Sequence, residues 1–419
     1  MASRAMVPPS RGAFRAVHQH PRPPLRPSGN DAKRPAMTAF MPRFCPRKQC
    51  EGATSFQFHK KGEYWRKCDN RFVQRFLCKT CKGTFSTQTF RFDWRLKLPF
   101  ATLDLLRGFV AKTTQRHMAR TFGVDRKTVA RRLDQFGLHC EAFHRARMEE
   151  RYGRDWHQLW APWKQGLDRA EAGPDQAGPA DASEAATAPR ELDQPSGWWP
   201  WSLVFDELET FEQHHIHQPL TVPTLVVRGS LFVVDFEVGQ LASRRRKQAE
   251  EQGRAPRWSE SRLACQKVFG RLGRLVQGRM VDGKLPPIEL STDRKQGYKK
   301  WLLQCCPGVV RHGRVSSKRR RDALNPLAGV NLTFAMMRDG LSRLVRRNWA
   351  YSKKAEKLRR HLWIWVAWRN YARQASNAER WHSPASLMGL ERRKLALAEL
   401  VHKRVFRARV ARPAWAATG

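Results

Sequence analysis

The chain has 419 residues, with 79 Lys and Arg against 37 Asp and Glu, a formal net charge of +42. So large a cationic excess points to a polyanionic partner, nucleic acid first; the plainer reading is a generic basic protein from a GC-rich genome, since arginine codons are GC-rich. The densest apolar runs, such as Leu362–Trp368, are far too short for a membrane span, which needs roughly 20 apolar residues.

Residues 1–40 are rich in Arg and Pro with a single acid, Asp31. Pro8, Pro9, Pro21, Pro23, Pro24 and Pro27 would break the amphipathic helix of a transit peptide. The segment reads as a disordered basic tail, or as an upstream extension of a gene whose start is Met37 or Met41.

Residues 41–92 carry the clustered cysteines. "FCPRKQC" gives Cys45-x4-Cys50 and "FLCKTCKGTF" gives Cys78-x2-Cys81. Two short chelating pairs are what a four-thiolate tetrahedral site requires, so a structural Zn²⁺ ribbon is expected. Four thiolates leave no open coordination position, so this metal is not expected to be catalytic. Cys68 and His59 fit neither knuckle as well. Arg66, Lys67, Arg71, Arg75, Lys79 and Lys82, with Tyr64 and Trp65, suit phosphate contact and stacking.

Residues 93–160 read as helices. "RHMARTFGVDRKTVARRLDQFG" places a short helix, Gly123 for a sharp turn, Asp125 as a cap, and a second helix with Val129, Leu133 and Phe136 as its buried stripe. Arg126, Lys127, Arg131 and Arg132 are left for the outside, as in a helix-turn-helix whose second helix enters a DNA major groove. A helical hairpin with a solvated basic face is the plainer alternative. Residues 161–197, rich in Gly, Pro, Ala and acids, read as a flexible linker.

From residue 198 to 373 the pattern is three strands, then a helix, a strand and a helix. Trp201–Phe205 is a strand running into Asp206. Thr221–Val227 and Leu231–Val238 form a hairpin across Arg228-Gly229, and Arg257–Gln277 is a helix. Ile288–Thr292 is a strand running into Asp293. Tyr298–Gln304 is a short helix, Gly308–Val315 a strand, and a long helix runs from about Asn331 to Arg373, with a break near Asn348. If the strands ending in Asp206 and Asp293 lie side by side, their carboxylates meet at the strand ends and can hold divalent ions of the Mg²⁺ or Mn²⁺ class. Strand-end aspartates also serve as simple turn formers.

The segments "LVFDELETF" (203–211), "SLFVVDFEVGQLA" (230–242), "LSTDRKQGYKKWL" (290–302) and "MRDGLSRLVRRNWAYSKK" (337–354) together resemble bacterial insertion-sequence DDE transposases of the insertion-sequence-one type. The resemblance spans about residues 44–372, and the zinc ribbon and helix-turn-helix look like that family's end-binding region. It implies an α/β fold: a ribonuclease-H-like catalytic domain with a mixed five-stranded sheet, preceded by a small zinc ribbon and an all-α helix-turn-helix domain. It also implies double-stranded transposon-end and target DNA as partners, a homodimer or larger assembly holding two ends, and a nucleoid-associated place in the bacterial cytoplasm. Asp206 and Asp293 match the first two metal-ligating aspartates. The third ligand, normally a glutamate on a late helix, falls at Asn331.

Members of such families carry Lys or Arg seven residues after that glutamate, and Arg338 stands seven after Asn331. Asp339 would lie about 12 Å further along a continuous helix and about 80° around it, so it reads as a surface charge. Glu207 is a supporting carboxylate pointing across the strand from Asp206, and Glu209 a further one. The expected function is strand cleavage and 3′-hydroxyl strand transfer by an Asp-Asp-Asn site. The alternatives are an inactive or domesticated DNA-binding protein and a ribonuclease-H-like nuclease of branched or hybrid nucleic acid. "HHIH" (His214, His215, His217) is a weak metal candidate, and residues 374–419 read as a tail with a short helical pattern at Arg393–Phe406.

Overall fold

The structure is a computed structural model that describes residues 40–405 apart from 155–201, 277–287 and several stretches of one to six residues. The N-terminal tail and the linker expected at 161–197 lie outside the described residues. No helix among those described is long and apolar enough to cross a membrane.

Strands β1 (Phe58–Arg66), β2 (Arg71–Cys78) and β3 (Thr84–Ser86) form a small antiparallel sheet in sequential order. Its core is little more than Phe76 and Phe85 beside the cysteines, too small to hold a fold by burial alone. Arg66 is not a surface cation here. It is 9% exposed, pairs with Asp69 at 2.6 Å and Asp93 at 3.2 Å, and donates to the Asp93 and Leu96 carbonyls.

Three helices follow, α1 (Thr102–Val110), α2 (Gln115–Thr121) and α3 (Arg126–Arg154). The second sheet is built from β4 (Ser202–Phe211), β5 (Pro219–Val227), β6 (Val233–Phe236), β8 (Ile288–Asp293) and β9 (Val310–Val315), in the order β6-β5-β4-β8-β9, with the short β7 (Gly239–Gln240) pairing β5. The first three strands are antiparallel, whereas β8 runs parallel to β4 and β9 parallel to β8. Between them come helices α4 (Arg246–Glu251), α5 (Ser261–Val276) and α6 (Tyr298–Cys305), and after β9 come α7 (Ala328–Gly340) and α8 (Ala355–Ala367).

Alternation along β4 sorts the two faces of the sheet. Leu203 and Phe205 join one core with Val268, Phe269 and Leu302 of α5 and α6. Val204 and Leu208 join the other, with Val330 and Phe334 of α7 and Trp363 of α8. That second core also contains Leu133, Phe136 and Cys140 of α3, so the helical region does not stand apart as a domain of its own. Further along α3, the His144 ring bonds the Val234 carbonyl at 2.9 Å and Phe143 packs edge-on against Tyr371.

Two expectations need correction. The long helix is two helices: the first ends at Gly340 and the second begins at Ala355, so the interval between them is wider than the expected single break and takes in Asn348, which lies outside the described residues. At the end of the first, α7 and the indole of Trp365 meet so closely that a Cβ on Gly340 would lie 2.7 Å from its Nε1, and Leu341 turns extended. The C-terminal segment is no tail as far as it is described. Ala385, Met388 and Leu400 are buried with Tyr371, and the Arg404 N–H donates to the Phe90 carbonyl at 2.8 Å, which ties this segment to the first sheet's margin. In place of a helix over Arg393–Phe406 there is one turn, Leu397–Leu400.

Candidate active site and metal centre

The β4–β8 ladder pairs Ser202 with Glu289 and ends on Phe205 opposite Thr292. One step further in each strand are Asp206 and Asp293, side by side in parallel register on the face that carries Val204. β8 stops at Asp293 while β4 continues to Phe211, so the two aspartates sit where the sheet opens at the C-terminal end of β8. Each carboxylate is oriented by its own backbone. Asp206 Oδ1 accepts the Glu207 N–H at 2.7 Å, and Asp293 Oδ1 accepts the Lys295 N–H at 3.0 Å.

Asn331 is on the first turns of α7, the helix laid over that same face. Val330, Thr333, Phe334 and Met337 form its buried stripe, and a Cβ on Gly329 would touch Val204 at 3.6 Å. Asn331 and Arg338 are both half-buried along one edge of that stripe, two turns apart. Asp339 has a side chain 83% exposed and pairs only loosely with Lys112, at 3.4 Å. Among the described residues, Asp206 and Asp293 belong to no metal-sized group of three or more acidic, His or Cys side chains.

Glu207 points to the opposite face. Its carboxylate accepts from Thr221 Oγ1 and Ser261 Oγ, each at 2.7 Å, from the Tyr298 hydroxyl at 2.5 Å, and from the Lys295 ammonium. Burial alone would raise its pKa, but the Lys295 ammonium, with the Tyr298 and Thr221 hydroxyls, outweighs that and holds it below the usual glutamate range. Burial and the adjoining Glu207 charge push the Tyr298 phenol far upward, so it stays a proton donor. Glu207 thus ties the residue after Asp206 to the turn that follows Asp293. Glu209 is 60% exposed and engaged by Arg244 at 2.8 Å. Lys295, Ser261 and Thr221 escaped the sequence reading because they come from separate segments, with no motif joining them.

The four cysteines converge. Cys45 and Cys81 Sγ are 3.7 Å apart, as are Cys50 and Cys78, and all four sulfurs lie within 4.8 Å of one another. A tetrahedron with metal–sulfur bonds of ~2.3 Å has sulfurs ~3.8 Å apart, so the set is of the size that could hold one structural metal ion such as Zn²⁺. Lys82, at φ 53, turns the knuckle after Cys81. Burial works to raise the Cys78 thiol, but backbone N–H groups of Cys81 and Thr80 outweigh it and bring it down to about 6. Cys68 is elsewhere, against the Leu96 carbonyl at 3.6 Å, and His59 is exposed on β1. Of the "HHIH" run, His214 lies outside the described residues, and neither His215 nor His217 joins a metal-sized group.

In the helical hairpin, Thr114 Oγ1 caps α2 by accepting the His117 N–H at 3.2 Å. Gly123 turns the chain at φ 59, and Asp125 Oδ1 caps α3 by accepting the Lys127 N–H at 2.6 Å. Arg126, Lys127 and Arg131 are exposed on the first turns of α3. Arg132 is not on the outside as expected: it is 5% exposed and donates to Gln135 Oε1 at 3.0 Å. The loop after β3 covers that side, with Phe92 stacked on Phe136 at 5.1 Å and the Phe92 carbonyl accepting from Gln135 at 3.3 Å. No protein-family model and no curated protein sequence matches the chain.

Proposed function

We propose that the chain is a DDE-type DNA transposase with a ribonuclease-H-like catalytic unit, a zinc ribbon and a helix-turn-helix. The observation that carries this reading is the pair Asp206 and Asp293 on neighbouring parallel strands of a sheet ordered β6-β5-β4-β8-β9, under a helix, α7, that carries Asn331 near its start. Three antiparallel strands followed by two parallel ones, with acids on the first and fourth, is the arrangement expected of such a unit. The strong positive charge and the exposed Arg126, Lys127 and Arg131 support DNA as the substrate.

Asp206, Asp293 and the Asn331 amide oxygen would hold Mg²⁺ or Mn²⁺, which when bound supplies Lewis-acid activation of the attacking and leaving oxygens. The protein's own part is placement. The Asp206 and Asp293 side chains are held by backbone N–H groups, the Glu207–Lys295 pair fixes the spacing of the two strand ends, and α7 shields the site's face from water. Arg338, two turns from Asn331 on the same side of α7, would supply a positive charge for the DNA backbone. The ribbon would hold Zn²⁺ structurally. Two transposon ends must be brought together, so a homodimer or larger assembly on DNA is part of the proposal, acting in the bacterial cytoplasm where the chromosome lies.

An amide in place of the third carboxylate favours one competing reading, a DNA-binding protein that keeps the fold without the chemistry. Nicking and joining of DNA taken from both flanks of the gene, in Mg²⁺ or Mn²⁺, separates the two. Cleavage lost in Asp206→Ala and Asp293→Ala supports the transposase. Tight end binding with no cleavage by the unaltered protein sinks it.

A further inference from the structure

Beside the acid pair, and outside it, the structure has a cavity of about 600 Å³ lined by Lys295, Lys299, Lys300 and Arg314 with Gln296, Gln304 and Leu303. It opens two residues after Asp293, along α6. No carboxylate lines it, and Lys299, Lys300 and Arg314 form no ion pair among the described residues. Only Lys295 is neutralised, by Glu207. Arg314 is anchored by donating to the Arg294 carbonyl at 3.1 Å, which holds the β9 side of the cavity against the turn after Asp293. Gly297, at φ 98, lets that turn fold back over Trp301, where a Cβ would meet the ring at 2.7 Å. The cations are therefore held on a built surface and not on free loops.

Three uncompensated cations around one cavity repel each other, and an anion relieves that cost. α6 is about 12 Å long, which matches roughly three steps of a DNA strand at about 3.4 Å each. Leu303, 55% exposed, gives the cavity an apolar floor on which a sugar or base edge can rest. We propose that this cavity is a phosphodiester subsite, holding successive backbone phosphates of the DNA strand that leads away from the Asp206–Asp293 pair. The proposal rests on the transposase reading for the identity of that strand, and on the cavity's own chemistry for phosphate.

The test is salt-dependent binding of a 30-base-pair duplex, without divalent metal, by the full chain and two triple variants. One is Lys299→Ala/Lys300→Ala/Arg314→Ala. The other removes equal charge elsewhere, at the exposed Lys247, Arg380 and Arg392. Each phosphate contact contributes about 0.9 to the slope of log affinity against log salt, so the cavity variant should flatten the slope by about 2 to 3 and the control should leave it unchanged. An unchanged slope in the cavity variant, or equal flattening in both, overturns the proposal. So does saturable binding of inorganic phosphate that the cavity variant loses while its DNA slope stays intact, since that would make the cavity a free-phosphate site. The two readings fail separately. Absent cleavage with an altered slope sinks the transposase and leaves the subsite, whereas cleavage with an unaltered slope does the reverse.

Discussion

Replacing Glu207 tests the link between the two aspartate-bearing strands. Its side chain is 8% exposed and satisfies four donors, three of them on residues that are themselves buried: Thr221, Ser261 and Tyr298. Glu207→Ala leaves those hydroxyls and the Lys295 ammonium without their shared acceptor. Removing one partner of a buried charged network costs about 3 to 5 kcal/mol. Lys295 is 38% exposed and can turn to water, so the lower end applies. Glu207→Gln keeps one acceptor oxygen and loses the charge, for about 1 to 2 kcal/mol. The pKa of Glu207 is depressed in the folded state, so its stabilisation is fully present above the unfolded value near 4.5 and is lost as pH falls through the lower folded value. Urea unfolding followed by tryptophan fluorescence, at pH 7 and in steps down to pH 3, measures both effects. The quantity to compare is wild type minus Glu207→Gln, which cancels the acid loss of the zinc ribbon common to both. It should shrink below pH 4.5. A Glu207→Ala protein within about 0.5 kcal/mol of wild type at pH 7, or a difference that stays flat with pH, refutes the reasoning.

Metal analysis should find one zinc per chain. Chelation, or Cys78→Ser, should unfold residues 40–96 while the second sheet keeps its cooperative transition, and retention of the ribbon's protease resistance without zinc contradicts this. Arg131→Ala should weaken DNA binding with little change in stability. Arg132→Ala should do the opposite, costing about 1 to 3 kcal/mol because its buried stem packs under the Phe92 loop, and swapped outcomes would invert the assignment of the helix face. Asn331→Glu should tighten Mn²⁺ binding, read by calorimetry. Asp339→Ala should leave both metal binding and stability within about 0.5 kcal/mol, since its pair with Lys112 is exposed.

The acid pair was legible because each aspartate ends an apolar run, and such a run has few places to go except a buried strand. The cysteine cluster was legible for a similar reason, since two short chelating pairs constrain each other through the metal. What escaped depends on contacts between distant segments. The end of α7 at Gly340 did carry a local mark, the glycine itself, but the close approach of the Trp365 indole, which leaves no room for a Cβ there, depends on a residue 25 positions away. Arg132 lies among exposed-looking arginines, yet it is buried and bonded to Gln135, whose amide in turn bonds the Phe92 carbonyl of a distant segment. The packing of the helical region on the second core was hidden for the same reason. A 29-residue helix with a basic N-terminal turn reads as an independent DNA-binding arm, yet its middle supplies core to the sheet. Weak periodicity in residues 374–405 concealed a segment held by Tyr371 and by backbone bonds to Phe90 and Phe92.

In the proposed function, Asp206 and Asp293 form one metal-dependent site for DNA strand transfer. The direct measurement is Mg²⁺- or Mn²⁺-dependent nicking and joining of the gene's flanking DNA by wild type, Asp206→Asn and Asp293→Asn, each checked for unchanged end binding. The account predicts cleavage and joined product from wild type and a loss of at least about 10³-fold in either variant, as expected when an element of a metal site is removed. Full cleavage by either variant, or none by a wild-type protein that binds the ends, contradicts it.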